Sequence, residues 1–233
     1  MTSHRQIVHI GKTGGTSIHM MLRALRQRLD VADTHALPTM LSHDESRRPW
    51  LHEQSDRASF AVVFRDPDRR YASGFWSRLR QGRPQAPSGT RLWTPAEAAA
   101  FSWFREPDAL FEALGSSDDA EQSAAHFAMN AIFHLKRDHA WYLGSAEEFE
   151  SVSERFWFVR PLTELTDHIT ELLPDSSDAV RETARTVFAR RHVAEQPVTP
   201  LSPRAREMLR LTRPEEYALY DALVAEHARR TDL

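Results

Sequence analysis

The stretch from Ile7 to Ser17, IVHIGKTGGTS, most constrains what this chain can fold into. Ile7, Val8, His9 and Ile10 read as a short buried strand, and a glycine-bearing loop with Lys12 near its start follows. From Ser17 to Leu29 apolar residues (Ile18, Met21, Leu22, Leu25, Leu29) recur at helical spacing. Strand, glycine loop and helix in that order make an anion site. Gly14 and Gly15 let the backbone approach a phosphate without a side-chain clash, and the first helical amides lack intrahelical acceptors. Thr13, Thr16 and Ser17 add hydroxyls, and Lys12 adds a point charge. Of the 30 cationic side chains only Lys12 and Lys136 are lysines. A compact ammonium suits a bridging oxygen better than a planar guanidinium does; a surface lysine kept by chance is the alternative.

The predicted elements alternate. Asp30–Thr34 reads as a second short strand followed by His35, and Pro38 is placed to open a helix. Ser59–Phe64, SFAVVF, is an apolar run without alternation, so a strand buried on both faces, and a helix from about Arg69 to Arg80 follows it. Residues 81–94 are loop-like, either a lid or a surface excursion. Helices are expected over Pro95–Phe104, Pro107–Leu114 and Asp118–Leu135, with Phe127, Ile132 and Phe133 packing on the sheet. FWFV (Phe156–Val159) is a third strand, and helices follow over Leu162–Leu173, Asp178–Arg190, Ser202–Leu211 and Pro214–Ala228. Strands separated by helices, with no hairpin signal, imply an α/β fold: a parallel sheet flanked by helices, helix-rich in its C-terminal half. No Gly/Ser linker divides the 233 residues, so residues 1–233 are expected to form one domain.

A net charge of −3 argues against a nucleic-acid partner. The chain has no cysteine, which rules out thiolate metal sites and thiol nucleophiles and fits a reducing, cytoplasmic setting. Neither a secretory signal nor a run of about 18 apolar residues is visible. The arginine- and alanine-rich composition resembles GC-rich bacterial coding.

Ligands of parallel sheets bind beyond the carboxyl ends of the strands, which puts Lys12, His35 and Arg65 on one rim. Arg65 ends a strand and Ser73 lies on the next helix, so the pair can grip one phosphate from two sides. An ordinary strand-to-helix turn with a solvated basic helix is the plainer alternative.

Taken together, IVHIGKTGGTS and VVFRDPDRRYASGF resemble the sulfotransferases that use 3′-phosphoadenosine 5′-phosphosulfate (PAPS). The likeness is to the carbohydrate branch that includes heparan sulfate 2-O-sulfotransferase and small bacterial members. Weaker similarity runs through FVRPLTEL (Phe158–Leu165) and EYALYDAL (Glu216–Leu223). The resemblance implies a P-loop-containing sulfotransferase-like fold and a PAPS donor without a metal. Lys12, Thr13, Gly14, Gly15, Thr16 and Ser17 would bind the 5′-phosphosulfate, and Arg65 and Ser73 the 3′-phosphate. The acceptor would be a hydroxyl on a sugar or small metabolite. Two departures stand out. Gly11 replaces a usual proline, and no asparagine occurs in Arg190–Pro200, where Arg190, Arg191 or His192 would have to substitute.

In-line transfer also needs a base, and imidazole suits the task near neutral pH. His35, on the expected rim, comes first, then His43; His52, Asp33 and Glu45 stay open. A P-loop kinase would need its lysine after the glycines and a metal; a non-catalytic nucleotide-binding relic is the third reading.

Overall fold

Among the described residues, four short parallel strands carry the molecule, in the order β2-β1-β3-β4. The computed structural model describes residues 5–30, 34–52, 58–81, 92–191 and 199–232. The elements run β1 (Arg5–Val8), α1 (Gly15–Arg26), β2 (Thr39–Met40), α2 (Pro49–His52), β3 (Ser59–Phe64) and α3 (Pro67–Gln81). A helical run follows: α4 (Pro95–Trp103), α5 (Pro107–Ala113), α6 (Asp119–Ala131), α7 (Phe133–Lys136), α8 (His139–Leu143) and α9 (Ala146–Val152). After β4 (Phe156–Pro161) come α10 (Leu165–His168), α11 (Asp178–Arg191), α12 (Pro203–Thr212) and α13 (Pro214–Thr231). The protein is therefore α/β and rich in helix.

The sheet is covered on both faces, which is why its strands are nearly continuously apolar. Ile7, Ala61, Val63 and Phe158 face α1 and α11, meeting Ile18, Met21, Leu22, Leu25, Ala184 and Phe188. Val8, Phe60, Val62, Phe64 and Phe156 face α8, α9 and α13, meeting Leu143, Phe149, Leu219 and Leu223. In register, Ile7 stands opposite Ala61 on β3 and Met40 on β2. Among the described residues no helix is long and apolar enough to cross a membrane.

Several elements differ from the sequence expectation. Of the strand expected at Asp30–Thr34, residues 31–33 lie outside the described residues; Thr34 and His35 are helical, and β2 forms at Thr39–Met40, with Leu41 N–H donating to the Ile7 carbonyl at 3.0 Å. Pro38 is buried and leads into that strand instead of opening a helix. Helix 118–135 is broken at Ile132, whose backbone is extended (φ −73°, ψ 117°). An extra helix, α9, is set by a capping box in which Ser145 and Glu148 satisfy each other's backbone N–H groups. Residues 162–173 form two 3₁₀ turns around the short α10.

Helices α4–α7 do not pack on the sheet. Their apolar faces close on α3 and α12 in a separate core of Tyr71, Phe75, Phe101, Phe111, Met129, Ile132 and Leu209, which contains no strand residue. Phe127 is 42% exposed and meets Trp103 edge-on, while Phe133 and His43 stand edge to face. At the centre of this core Arg78 and Glu97 form a bidentate pair at 2.7 and 2.8 Å, both buried. Trp93 belongs here too: its Nε1–H donates to the Arg78 carbonyl at 2.8 Å and its ring lies on Phe101. The lid expectation falls on residues 82–91, outside the described residues.

Candidate functional site

Leaving β1, the chain passes His9 and Ile10 and turns through Gly11–Gly14 into α1. Lys12 (φ 71°) and Gly14 (φ 86°) are left-handed. Gly14 needs that freedom, because a Cβ there would also come within 2.7 Å of Leu162 Cδ1. Gly14 is the N-cap of α1; no side chain caps the helix, and no acidic residue sits in its first turn. The Gly14 carbonyl accepts from Ser17 N–H and Ile18 N–H, so the amides of Gly15 and Thr16 have no intrahelical acceptor and give this end a positive potential. Thr13 acts differently from its expected role: its hydroxyl donates to the Ile10 carbonyl at 3.0 Å and is buried, bracing the turn. Thr16 is exposed and Ser17 half-buried at the helix start.

Beyond β3, Arg65 reaches across to the same turn. Its Nη1 donates to the Lys12 carbonyl at 3.4 Å, so the two motifs, remote in sequence, meet in space. Asp66 and Pro67 start α3: the Asp66 carboxylate accepts the Arg69 N–H at 3.0 Å, and proline takes the first helical position. Ser73 is buried on the second turn. The basic stretch that follows is solvated only at Arg69 and Arg80 among its described arginines. Arg70 is wholly buried, bonded to Glu216 (3.3 Å) and to the carbonyls of His134 (3.2 Å) and Arg137 (3.1 Å), and Arg78 lies in the helical core.

The segment after β2 brings up His43. Ser42 and Glu45 close a turn by mutual hydrogen bonds, Ser42 N–H donating to the Glu45 carboxylate at 2.8 Å; these bonds hold Glu45 below the usual carboxylate range. His43 Nδ1 lies 3.1 Å from the His9 carbonyl and 2.7 Å from Tyr142 Oη. A carbonyl only accepts, so Nδ1 carries the proton, shared between the two oxygens, and Nε2 keeps the lone pair. Burial lowers the His43 pKa, opposed by its bond to His9. His9 stacks on His43 and, by burial and the neighbouring His43 and His19, is pushed down to about 4. His134, wedged between Gly11 and Gly74, is pushed down to about 3 by burial and by Lys12. Burial raises Tyr142 to about 12. The imidazoles beside the turn are thus neutral at pH 7.

His35 precedes β2 and is exposed, so the rim position expected of it belongs to His43. Asp33, His192 and the side chains of His52, Arg190 and Arg191 lie outside the described residues. His9 and His134 also stand beside the turn; pattern reading places His9 inside the first strand and gives His134 no part in the site. The rim rule itself points to His9, one residue past a strand; His134 gives no comparable signal. Among the described residues no three His, Asp or Glu side chains form a group that could hold a metal ion. Comparison with known proteins finds no matching family model, no matching curated protein and no matching solved structure. The arrangement can hold an anion between a helix N-terminus, an ammonium and a guanidinium, with a neutral imidazole nearby.

Proposed function

We propose that this protein is a sulfotransferase that moves the sulfuryl group of PAPS to a hydroxyl on a sugar or small metabolite. One observation carries the reading: the Arg65 guanidinium touches the Lys12 backbone at 3.4 Å. A ligand with phosphates at both ends of one ribose can then be held by two adjacent strand ends. The motif resemblance supplies the nucleotide's identity.

In this reading Lys12 and the amides at the start of α1 stabilise the sulfuryl oxygens and the leaving 5′-phosphate, while Arg65 and Ser73 hold the 3′-phosphate. His43 Nε2 takes the acceptor's hydroxyl proton as its oxygen bonds to sulfur. The sulfur–oxygen bond to the 5′-phosphate breaks, and that bond's electron pair stays on the phosphate, beside the Lys12 ammonium.

Calorimetry with 3′-phosphoadenosine 5′-phosphate (PAP) and transfer assays with radiolabelled PAPS over a hydroxylated acceptor panel test this. Wild type should bind PAP and turn over with EDTA present. Lys12→Ala should lose about 10²–10³ in turnover, and Arg65→Ala should chiefly weaken PAP binding. Unchanged rates in Lys12→Ala, or turnover abolished by EDTA as a kinase would show, would sink the assignment.

A further inference from the structure

Behind Arg65 lies a buried chain of hydrogen bonds that ends on the last helix. The backbone N–H of Arg65, just past β3, donates to His139 Nε2 at 3.4 Å, the long end of the range. On the other side of that ring Nδ1 lies 2.6 Å from Glu216 Oε1. Glu216 is on the first turn of α13, where an anion is favoured, and it also accepts Ala140 N–H at 3.0 Å and Arg70 Nε–H at 3.3 Å. His139 is fully buried and Glu216 nearly so. Burial would raise the Glu216 carboxyl, but the Arg70 guanidinium and the hydrogen bonds from His139 and Ala140 outweigh that and hold it low.

This geometry selects one tautomer. An ionised carboxylate only accepts, so Nδ1 carries hydrogen. Nε2 must then hold a lone pair, since a second N–H would face the Arg65 N–H donor to donor.

We infer that Glu216 and His139 are positioning residues of the anion site: through the Nδ1–H tautomer of His139 they hold the Arg65 amide, and so aim its guanidinium at the Lys12 turn. The consequence for ligand affinity rests on the nucleotide reading above; the link itself does not. A carboxylate on the C-terminal helix thereby sets the place of a cation at the end of a central strand.

Nitrogen-15 NMR of the ligand-free wild type tests the link without any substitution. The His139 ring should show a protonated Nδ1 and a pyridine-like Nε2. Two variants separate the ring's two bonds. His139→Asn keeps a donor toward Glu216 and removes the acceptor for Arg65, whereas His139→Gln puts an amide oxygen where Nε2 was. The Arg65 amide proton should move upfield in the first and hold in the second. PAP affinity should fall about tenfold in His139→Asn, with no further loss when Arg65→Ala is already present. An Nε2–H tautomer overturns the inference, as does equal PAP affinity in the two variants or a loss that adds fully to that of Arg65→Ala. A wild type with the expected tautomer that ignores PAP would sink the nucleotide reading and leave the link standing.

Discussion

The ring of His43 lies on that of His9 with centres 4.0 Å apart and planes within 24°. Stacking and burial keep both imidazoles uncharged, because two cations at that separation would repel with little water between them. The same contact leaves His43 Nε2 as the basic atom, since Nδ1 is engaged by the His9 carbonyl and Tyr142.

As the acceptor's base, His43 should govern the acid side of the rate profile. Its pKa is lowered, so the acid limb of kcat/KM should fall below the ordinary imidazole value of 6.5. His43→Ala should lower kcat/KM by about 10²–10⁴, while His35→Ala should leave it unchanged. A limb that persists in His43→Ala would assign the base elsewhere.

Gly15→Ala sets two effects against each other. Alanine in a helix gains about 1 kcal/mol over glycine. The added Cβ, however, would enter the His9 ring and come within 3.1 Å of Met40 Cε, and overpacking of this kind costs about 1–3 kcal/mol. His9 cannot yield freely against the His43 stack, so the clash wins. Urea unfolding should show a lower midpoint with unchanged slope; a raised midpoint would refute the packing described.

The Arg78–Glu97 pair makes a third case. Glu97 also accepts the N–H groups of Thr94 and Phe133, at 3.0 and 3.1 Å, so Glu97→Ala removes the counter-charge of a buried guanidinium and an acceptor of two amides. The expected loss is about 3–5 kcal/mol by denaturant titration. Replacing both partners together, Arg78→Met with Glu97→Leu, should cost less than Glu97→Ala alone. A double variant as unstable as the single one would show that the charge is not the issue.

Acid should unfold the protein from an unusually high pH. His9 and His134 have folded pKa values lowered to about 4 and 3 from 6.5, so below 6.5 the unfolded chain binds more protons. Their contribution is complete above 6.5 and is lost as pH falls towards 4 and then 3. Glu216, held near 2 against an ordinary 4.5, adds a further loss below 4.5. Melting temperature against pH should therefore be flat above 6.5 and fall below it. His134→Gln should flatten that fall; an unchanged slope would mean that His134 titrates as it does in water.

Much of the frame was legible because local rules agree with the fold there. SFAVVF is too apolar to be anything but a central strand, and GKTGGTS admits little besides a turn into a helix. Thr39–Met40 shows the limit: a two-residue strand has no periodicity, and only its hydrogen bonds to β1 define it. A contiguous helical pattern over 118–135 hid the break at Ile132, since apolar spacing does not report one extended residue.

Asymmetries of composition by themselves determined the class of the protein: alternating strands and helices, a glycine turn with the first of two lysines, and an arginine ending a buried strand. Those features depend on neighbours a few residues away, so the chain states them locally. Tertiary structure alone decided that the Arg65 guanidinium meets the Lys12 backbone, that His43 and not His35 stands beside them, and that Glu216 reaches Arg65 through His139. Each of these rests on a hydrogen bond between residues at least thirty-four positions apart, and sequence separation carries no distance until the sheet has set its strand order.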